Sequence, residues 1–389
     1  MHARQINVVY NPADFSALEN EWEALCEELA EEITVFASFQ WYWTWWRHYA
    51  GEAALHLVVM RVGGKLVGIA PLMRRRAKIH GLPATILCFI ENNLSLHNEL
   101  IVLPAYREEF LQELLRQLHE DAGSWDAVVF RNLPESSPNR LLLTELLEGF
   151  GNRYLQNPAW LQSPYLVPGG SWEEYLASRT LRARKSLRNI RNSVHNAGSA
   201  EVRRIRGKEE FRAVRDDFFE VTRKSWAGNS GDPLSTADNE VFYHELADLA
   251  AEKGWLSAWT LRLDGRTIAV EFHLRAFGKE HAMRGHYLPE FASLSPGTYL
   301  EMEILRQVFE EPERPGLYDF GGAFDDYKRK WTQSGVPHVD LLVFNGRPYS
   351  RLLGFHESTA VPYLRQAFPK DFWNNRLFRL CGINTRRMG

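Results

Sequence analysis

The segment YDFGGAFDDYKRKW, from Tyr318 to Trp331, sets a carboxylate, a glycine pair and a lysine around a single turn. Asp319 ends a buried-looking strand, and Gly321-Gly322 let the backbone approach a ligand closely. A carboxylate so placed can accept a proton or orient an amine, although Asp before a glycine turn also commonly serves as a cap. Tyr327, Lys328 and Trp331 fall on the short helix expected next, with Tyr327 and Trp331 at i and i+4 on one face. Lys328 is a compact point charge suited to a phosphate or a developing oxyanion; a lysine within DDYKRK is by default solvated. Upstream, Glu271 and His273 alternate on the strand TIAVEFHL and so face one side. A charged pair on an otherwise apolar strand is unexpected unless that face lines a cleft. His286 and Tyr287 follow on the next strand. Imidazole titrates near neutrality, which makes His286 a candidate base, with a satisfied core or edge histidine the commoner alternative. Glu271, His281 and His286 match no recognised metal-ligand spacing, and no metal is expected.

Charge is unevenly spread. From Arg179 through Lys208 there are ten Lys/Arg and one acid, Glu201. Arg184, Arg188 and Arg191 lie on one helical face at i, i+4 and i+7. A solvated face is the usual reading of such a run, but its field could also hold an anionic carrier or substrate. Coenzyme A, a nucleotide-linked sugar, an acidic polysaccharide and tRNA all qualify. Aromatics are scarce within the run, so base stacking is not indicated. The stretch Trp41, Trp43, Trp45, Trp46 reads as core, with stacking on a sugar or acyl chain the alternative. The tail after Phe344 carries eight Lys/Arg against two acids, mixed with Phe and Trp. That is the pattern of an interfacial helix in peripheral contact with a membrane; a helix docked on its own protein is commoner.

The elements that must position these residues recur in two halves. Ile6 to Tyr10 reads as a strand running into Asn11-Pro12, a cap followed by proline at the first helical position. LHLVVMRV and KLVGIAPLM flank Gly63-Gly64, a hairpin signal. A helix over Tyr106 to Glu120 leads to the strand WDAVVF. In the second half, Ser171 begins a capping box, SWEE, and the basic helix LRARKSLRNIRNSV follows. WLSAWTLRL and TIAVEFHLRAF then flank Asp264-Gly265, and HAMRGHYL, the turn LSPGT, a helix through Val308 and the strand LYDF complete the order. Gly64 matches Gly265, LRQL at 115–118 matches LRQV at 305–308, and each half ends in a strand marked by an Asp, Asp126 or Asp319. A duplicated unit is the economical account.

At 389 residues, 45% hydrophobic and 24% charged, with 22 Phe and 13 Trp, the chain can bury two cores, and wholesale disorder is excluded. A net charge of −3 gives no global pull toward nucleic acid. Cys26, Cys88 and Cys381 form no CxxC pair, so neither a disulfide framework nor a zinc site is suggested. No apolar leader and no run of about 18 apolar residues is present, which points to a soluble protein of the cytoplasm, membrane-peripheral if the tail binds lipid.

The second half resembles the GNAT-like acyltransferases annotated around bacterial cellulose biosynthesis, the CelD-like group. These are in turn similar to the Fem-type peptidoglycan aminoacyltransferases, which carry two such modules. The resemblance rests on the arginine-rich helix at Arg184-Lys185-Ser186-Leu187-Arg188, on Ser295-Pro296-Gly297 opening a helix, and on Tyr318 to Trp331. FASFQWYWTWW, ahead of the first hairpin, is similar to an aromatic segment of such proteins. The fold implied is α/β (α+β): two tandem GNAT-like modules, each a mixed, mostly antiparallel sheet flanked by helices. The expected bounds are 1–165 for a non-catalytic first module, 166–345 for the catalytic module and 346–389 for the basic tail.

The activity implied is transfer of an acyl group from acyl-coenzyme A, acetyl or longer, to an amine of a small-molecule, saccharide or peptide acceptor. Asp319 would orient or deprotonate the amine, Lys328, favoured over Lys330 by the resemblance alone, would steady the carrier's charge, and His286 or Glu271 would be further bases. Ser295, Gly297, Thr298, Arg184 and Arg188 would hold the carrier, and Tyr287, Tyr327, Trp331 and His273 would line the acceptor site. GNAT enzymes usually bind pyrophosphate through Q/R-x-x-G-x-G/A; here Gly297 alone remains of that pattern, although amides at a helix N-terminus still point at an anion. Two alternatives stand beside this reading: a Fem-type enzyme using aminoacyl-tRNA, the only nucleic acid expected, and a silent accessory protein of a polysaccharide synthase.

Overall fold

The computed structural model describes residues 3–92, 94–149, 153–159, 161–225 and 237–363. The chain divides into two compact units. The first takes the chain up to Leu29, Phe36–Leu161 and the described residues from Val336 on; the second takes Ala30–Val35 and Gln162–Gly335.

In the first unit, β1 (Arg4–Val9) leads to α1 (Pro12–Ser16), capped by Asn11, whose Oδ1 accepts from the Ala13 amide at 2.9 Å. Helices α2 (Glu19–Glu28) and α3 (Phe39–Tyr49) follow. Strands β2 (Ala54–Val62), β3 (Lys65–Ile79) and β4 (Leu82–Phe89) form an antiparallel meander, with β5 (Ile101–Val102) on β3. Helix α4 (Arg107–Glu120) then crosses over to β6 (Ala127–Pro134), which pairs parallel to β4. After α5 (Pro138–Gly149) come β7 (Arg153–Pro158) and, in the second unit, β8 (Tyr165–Leu166).

The second unit repeats the plan. Helices α6 (Trp172–Ser178), α7 (Leu181–Ala197), α8 (Lys208–Lys224) and α9 (Ala237–Glu252) accompany an antiparallel run of β9 (Ala200–Ile205), β10 (Leu256–Leu263), β11 (Arg266–Ala276) and β12 (Lys279–Tyr287). Helix α10 (Pro296–Glu310) crosses over to β13 (Leu317–Asp319), parallel to β12. In both units the first hairpin of the matched pair turns on two positive-φ residues, Gly63-Gly64 and Asp264-Gly265, the geometry whose twist suits a two-residue hairpin. The capping box at Ser171 is formed.

One boundary differs from expectation. Strand β14 (His338–Phe344), ahead of α11 (Pro348–Phe355), pairs with β6 and β7 of the first sheet, not with the second module to which 336–345 was assigned. Its alternation buries Val339, Leu341 and Val343 in the first core, and pairing so distant in sequence leaves no local signal. Conversely, Ala30–Val35 belongs with the second unit, where the Lys279 ammonium donates to the carbonyls of Ala30, Glu31 and Ile33. Residues 364–389, with Cys381 and most of the expected amphipathic tail, lie outside the described residues.

Core packing yields a first test. A Cβ on Gly68 of β3 would sit 2.6 Å from Cδ2 of Phe110 on α4. Gly68→Ala is therefore expected to cost about 1–3 kcal/mol, read as a lower denaturation midpoint with an unchanged slope.

Candidate functional site in the second unit

The second sheet opens at one place. β12 and β13 pair only through Lys279↔Leu317, Glu280↔Tyr318 and His281↔Asp319. There β13 ends, and Gly321 and Gly322, both at positive φ, turn the chain away. β12 continues to Tyr287, held on its other side by β11, with a register shift between Phe272 and His273. The first turn of α10 returns beside this free stretch: a Cβ on Gly297 would lie 3.6 Å from the Tyr287 ring, and the Tyr327 hydroxyl donates to the Gly297 carbonyl at 3.3 Å. Tyr287, Gly297 and Tyr327, expected from sequence to share a site, are thus together, with Thr298 buried behind them. Ser295 is the N-cap but takes a left-handed backbone and makes no side-chain cap, while Pro296 fills the first helical position.

Asp319 and Lys328 do converge, but through backbone. Asp319 Oδ1 accepts from the Gly321 amide at 2.8 Å; Lys328 Nζ donates to the carbonyls of Gly321 and of Ala323, the latter at 3.1 Å. The two side chains clamp opposite ends of one glycine. Burial lowers the Lys328 pKa, with Asp325 and Asp319 acting against it. The expected helix here is only a 3-10 turn, Lys328–Lys330, because Asp325 caps the Lys328 amide and Trp331 is already drawn into the core. Trp331 is therefore a core anchor whose carbonyl accepts from Tyr175 Oη at 2.7 Å. The histidine that meets Asp319 is His281, Nδ1 to Oδ2 at 3.2 Å. His286, expected at that point, lies five residues further along the strand, about 16 Å away at ~3.3 Å per residue, and its Nδ1 meets Ser225 Oγ at 3.2 Å instead.

The sheet face toward α10 holds a buried ionic chain. Glu271 Oε2 accepts from His273 Nε2 at 3.0 Å, and His273 Nδ1 meets Glu280 Oε1 at 3.2 Å. Glu280 also accepts from Ser257 Oγ at 2.7 Å and pairs with Arg204, which stacks over Trp259 and reaches Glu311. Arg275 joins Glu311 as well. Burial would pull His273 down, but its two carboxylate neighbours raise it to about 9. Burial would raise Glu280, but His273 and Arg204 hold it at about 2. Four cations, His273, Arg204, Arg275 and Arg206, thus face three carboxylates, Glu271, Glu280 and Glu311. Glu301 of α10 is a further buried carboxyl that forms no ion pair among the described residues, with only the more distant fields of His273 and Lys328 favouring its charged form. Burial and the Glu271 charge raise it to about 8, and Tyr318 Oη donates to its Oε1 at 2.8 Å. The same two carboxyls, after burial, push the Tyr327 phenol up. Tyr327, whose hydroxyl donates to the Gly297 carbonyl, therefore lies within the field of this network.

Sequence reasoning found Glu271 and His273 and missed Glu280, Glu301 and Arg204. Glu301 had a signal: it shares a helical face with Ile304 and Val308, an odd place for a lone acid. Glu280 follows Gly278-Lys279 and reads as hairpin surface.

The basic run also divides. Arg203 pairs with Glu210, Arg204 with Glu280 and Glu311, Arg206 with Glu311, and Lys208 with Asp248 and Glu252. Arg179 donates to the Trp331 carbonyl and lies over the Tyr175 ring. Arg182, Arg184, Lys185, Arg188 and Arg191 of α7 remain exposed, with no ion pair among the described residues. The helix contains no acid, and like charges at i,i+3 and i,i+4 cost about 0.2–0.5 kcal/mol per pair. Leu187 and Val194 bury its other face, and His195 Nε2 meets Tyr299 Oη on α10 at 3.3 Å.

Residues 182–329 match the family model of the acetyltransferase (GNAT) domain, which places the match inside the second unit. No curated protein matches. Among solved structures, FemX is similar at 14% identity over 86% of this chain and 98% of FemX, with a TM-score of 0.58. A conserved protein of unknown function from Bacteroides thetaiotaomicron is 10% identical over 88% of this chain and 100% of that one, with a TM-score of 0.52. These likenesses are of fold. With the repeated strand order they describe a mixed α/β chain of two tandem GNAT-like modules, each a mixed sheet flanked by helices.

Proposed function

We propose, from the GNAT-domain match and the geometry around β12, that the second unit is an N-acyltransferase using acyl-coenzyme A, acetyl or longer. The observation that carries the reading is the opening of β12 away from β13 beside the first turn of α10. A helix N-terminus offers amides and a positive dipole end to phosphate. The amides at Gly297 and Thr298 would hold the carrier's pyrophosphate, and Tyr287 and Tyr327 would border the thioester. Transfer to an amine needs the amine's proton removed and the leaving thiolate protonated. Glu301, which keeps its proton up to about pH 8, would protonate the leaving thiolate, while the amine's proton would pass to Glu271, the neighbouring carboxylate. Asp319 and Lys328 act as positioning residues that fix the Gly321 turn. The acceptor would be an amine of a small molecule or of an envelope or exopolysaccharide precursor, in keeping with the cellulose-biosynthesis-type motif order. The first unit is read as non-catalytic, since its crossover helix follows Pro104-Ala105-Tyr106 with no glycine at the turn.

Incubation with acetyl-, medium- and long-chain acyl-coenzyme A and a panel of amines tests this by the release of free thiol. Acceptor-dependent release is expected. No release with any donor, but aminoacyl transfer from charged tRNA, would hand the activity to the Fem-type reading, which the likeness to FemX keeps as the second one. Among the described residues no helix is long and apolar enough to cross a membrane.

A further inference from the structure

We infer that Arg184, Arg188 and Arg191 form a second phosphate subsite, one that selects carriers bearing a distal phosphate in addition to the pyrophosphate. The inference rests on the acyl-coenzyme A reading and deepens it: Arg184 and Arg188, expected from sequence among the carrier's ligands, are joined by Arg191 and given one definite phosphate.

The geometry is specific to α7. At about 100° per residue, positions 184, 188, 191 and 195 share one side of a helix. At about 1.5 Å per residue they make a stripe about 16 Å long. Its last member, His195, touches Tyr299 in the first turn of α10, so the stripe runs to the place where the pyrophosphate is proposed to sit. Arg203, Arg204, Arg206 and Lys208 are neutralised by Glu210, Glu280, Glu311, Asp248 and Glu252, and Arg179 is occupied by the Trp331 carbonyl, whereas these three arginines, like Arg182 and Lys185 of the same helix, form no ion pair among the described residues. Arg184 also lies in the first turn of its helix, where the dipole disfavours a cation. An anion along the stripe offsets both costs. Guanidinium groups bind phosphate in a bidentate manner, and the absence of aromatic residues from α7 argues against a stacked polynucleotide. Coenzyme A supplies the required pattern, a ribose phosphate set apart from the pyrophosphate.

The test is calorimetric titration with coenzyme A and with dephospho-coenzyme A, which lacks only the ribose phosphate. The native protein is expected to prefer coenzyme A by about tenfold to a hundredfold, as for a charge-assisted contact. The triple variant Arg184→Gln/Arg188→Gln/Arg191→Gln is expected to lose that preference while binding dephospho-coenzyme A as before. Arg203→Gln, in the paired part of the run, is expected to keep it. An undiminished preference in the triple variant overturns the subsite while leaving the acyltransferase reading intact. If neither carrier binds the native protein, both fall. If tRNA binds through the three arginines with a salt slope of many phosphates, the subsite belongs to a polynucleotide and the inference is wrong.

Discussion

Glu301→Gln is expected to lower acyl transfer about a hundredfold or more and at the same time to make the protein more stable at alkaline pH. Both follow from one feature, a carboxyl buried beside Glu271 and in no ion pair among the described residues. Glutamine keeps the acceptor for Tyr318 Oη but can neither hold nor pass a proton. For stability, the unfolded chain gives up this proton near the ordinary value of 4.5, whereas the folded protein keeps it until about 8. Between those values the folded state binds more protons, so stability falls as pH rises through the window. At about 1.4 kcal/mol per pKa unit the loss amounts to a few kcal/mol above pH 8, and the glutamine variant escapes it. His273 adds a loss of the same sign: raised from 6.5 to about 9, it contributes stability that is full below 6.5 and gone above 9. Chemical denaturation from pH 5 to 9.5 would show a steep alkaline decline in the native protein and a shallower one in Glu301→Gln. Parallel declines in the two would remove Glu301 from the account.

The second large effect concerns the Gly321 turn. Asp319→Ala deletes a buried carboxylate that both caps the Gly321 amide and faces His281, and it is expected to cost about 3–5 kcal/mol. Asp319→Asn keeps an acceptor for that amide and should lose less. From sequence, substitution of Asp319 is expected to cost rate and leave the melting temperature nearly unchanged. The bonds found in the structure revise that expectation, because a clamp loses stability together with rate. Lys328→Met should behave as a milder version, freeing the Gly321 and Ala323 carbonyls to water at the rim of the loop. Thermal melts of the three variants beside their turnover would decide it. A rate loss in Asp319→Ala with no change in melting temperature would restore a direct catalytic role.

What could be read from sequence was local. The two hairpins were legible because Gly-Gly and Asp-Gly pairs carry the positive φ angles that such turns need, and the crossover helices because their apolar spacing is regular. The meeting of Gly297, Tyr287 and Tyr327 was expected from the resemblance to GNAT-like modules and not from spacing within the chain. What escaped depends on pairing across long separations. Strand β14 reads as a strand anywhere, but nothing in HVDLLVF says that it lies between β6 and β7. The basic run from Arg179 to Lys208 looks uniform in sequence, yet its second half is neutralised by acids from α8, α9 and the segment after α10. Glu271 and His273 were visible by alternation, while their partners Glu280, Glu301 and Arg204 come from three other elements. His286 was preferred to His281 because only the register of β12 against β13 distinguishes them.

On the proposed function, the carrier sits between β12 and the first turn of α10. Gly297 is the residue to alter, since a methyl group there would meet only the Tyr287 ring, at 3.6 Å, whereas a tryptophan side chain would fill the opening. Calorimetric titration of acetyl- and longer acyl-coenzyme A into the native protein and into Gly297→Trp is the most direct measurement. Binding to the native protein is expected in the range of about 1 μM to 1 mM. None is expected to the variant, whose circular dichroism and melting temperature should remain native-like. Equal binding by a folded Gly297→Trp would place the carrier elsewhere.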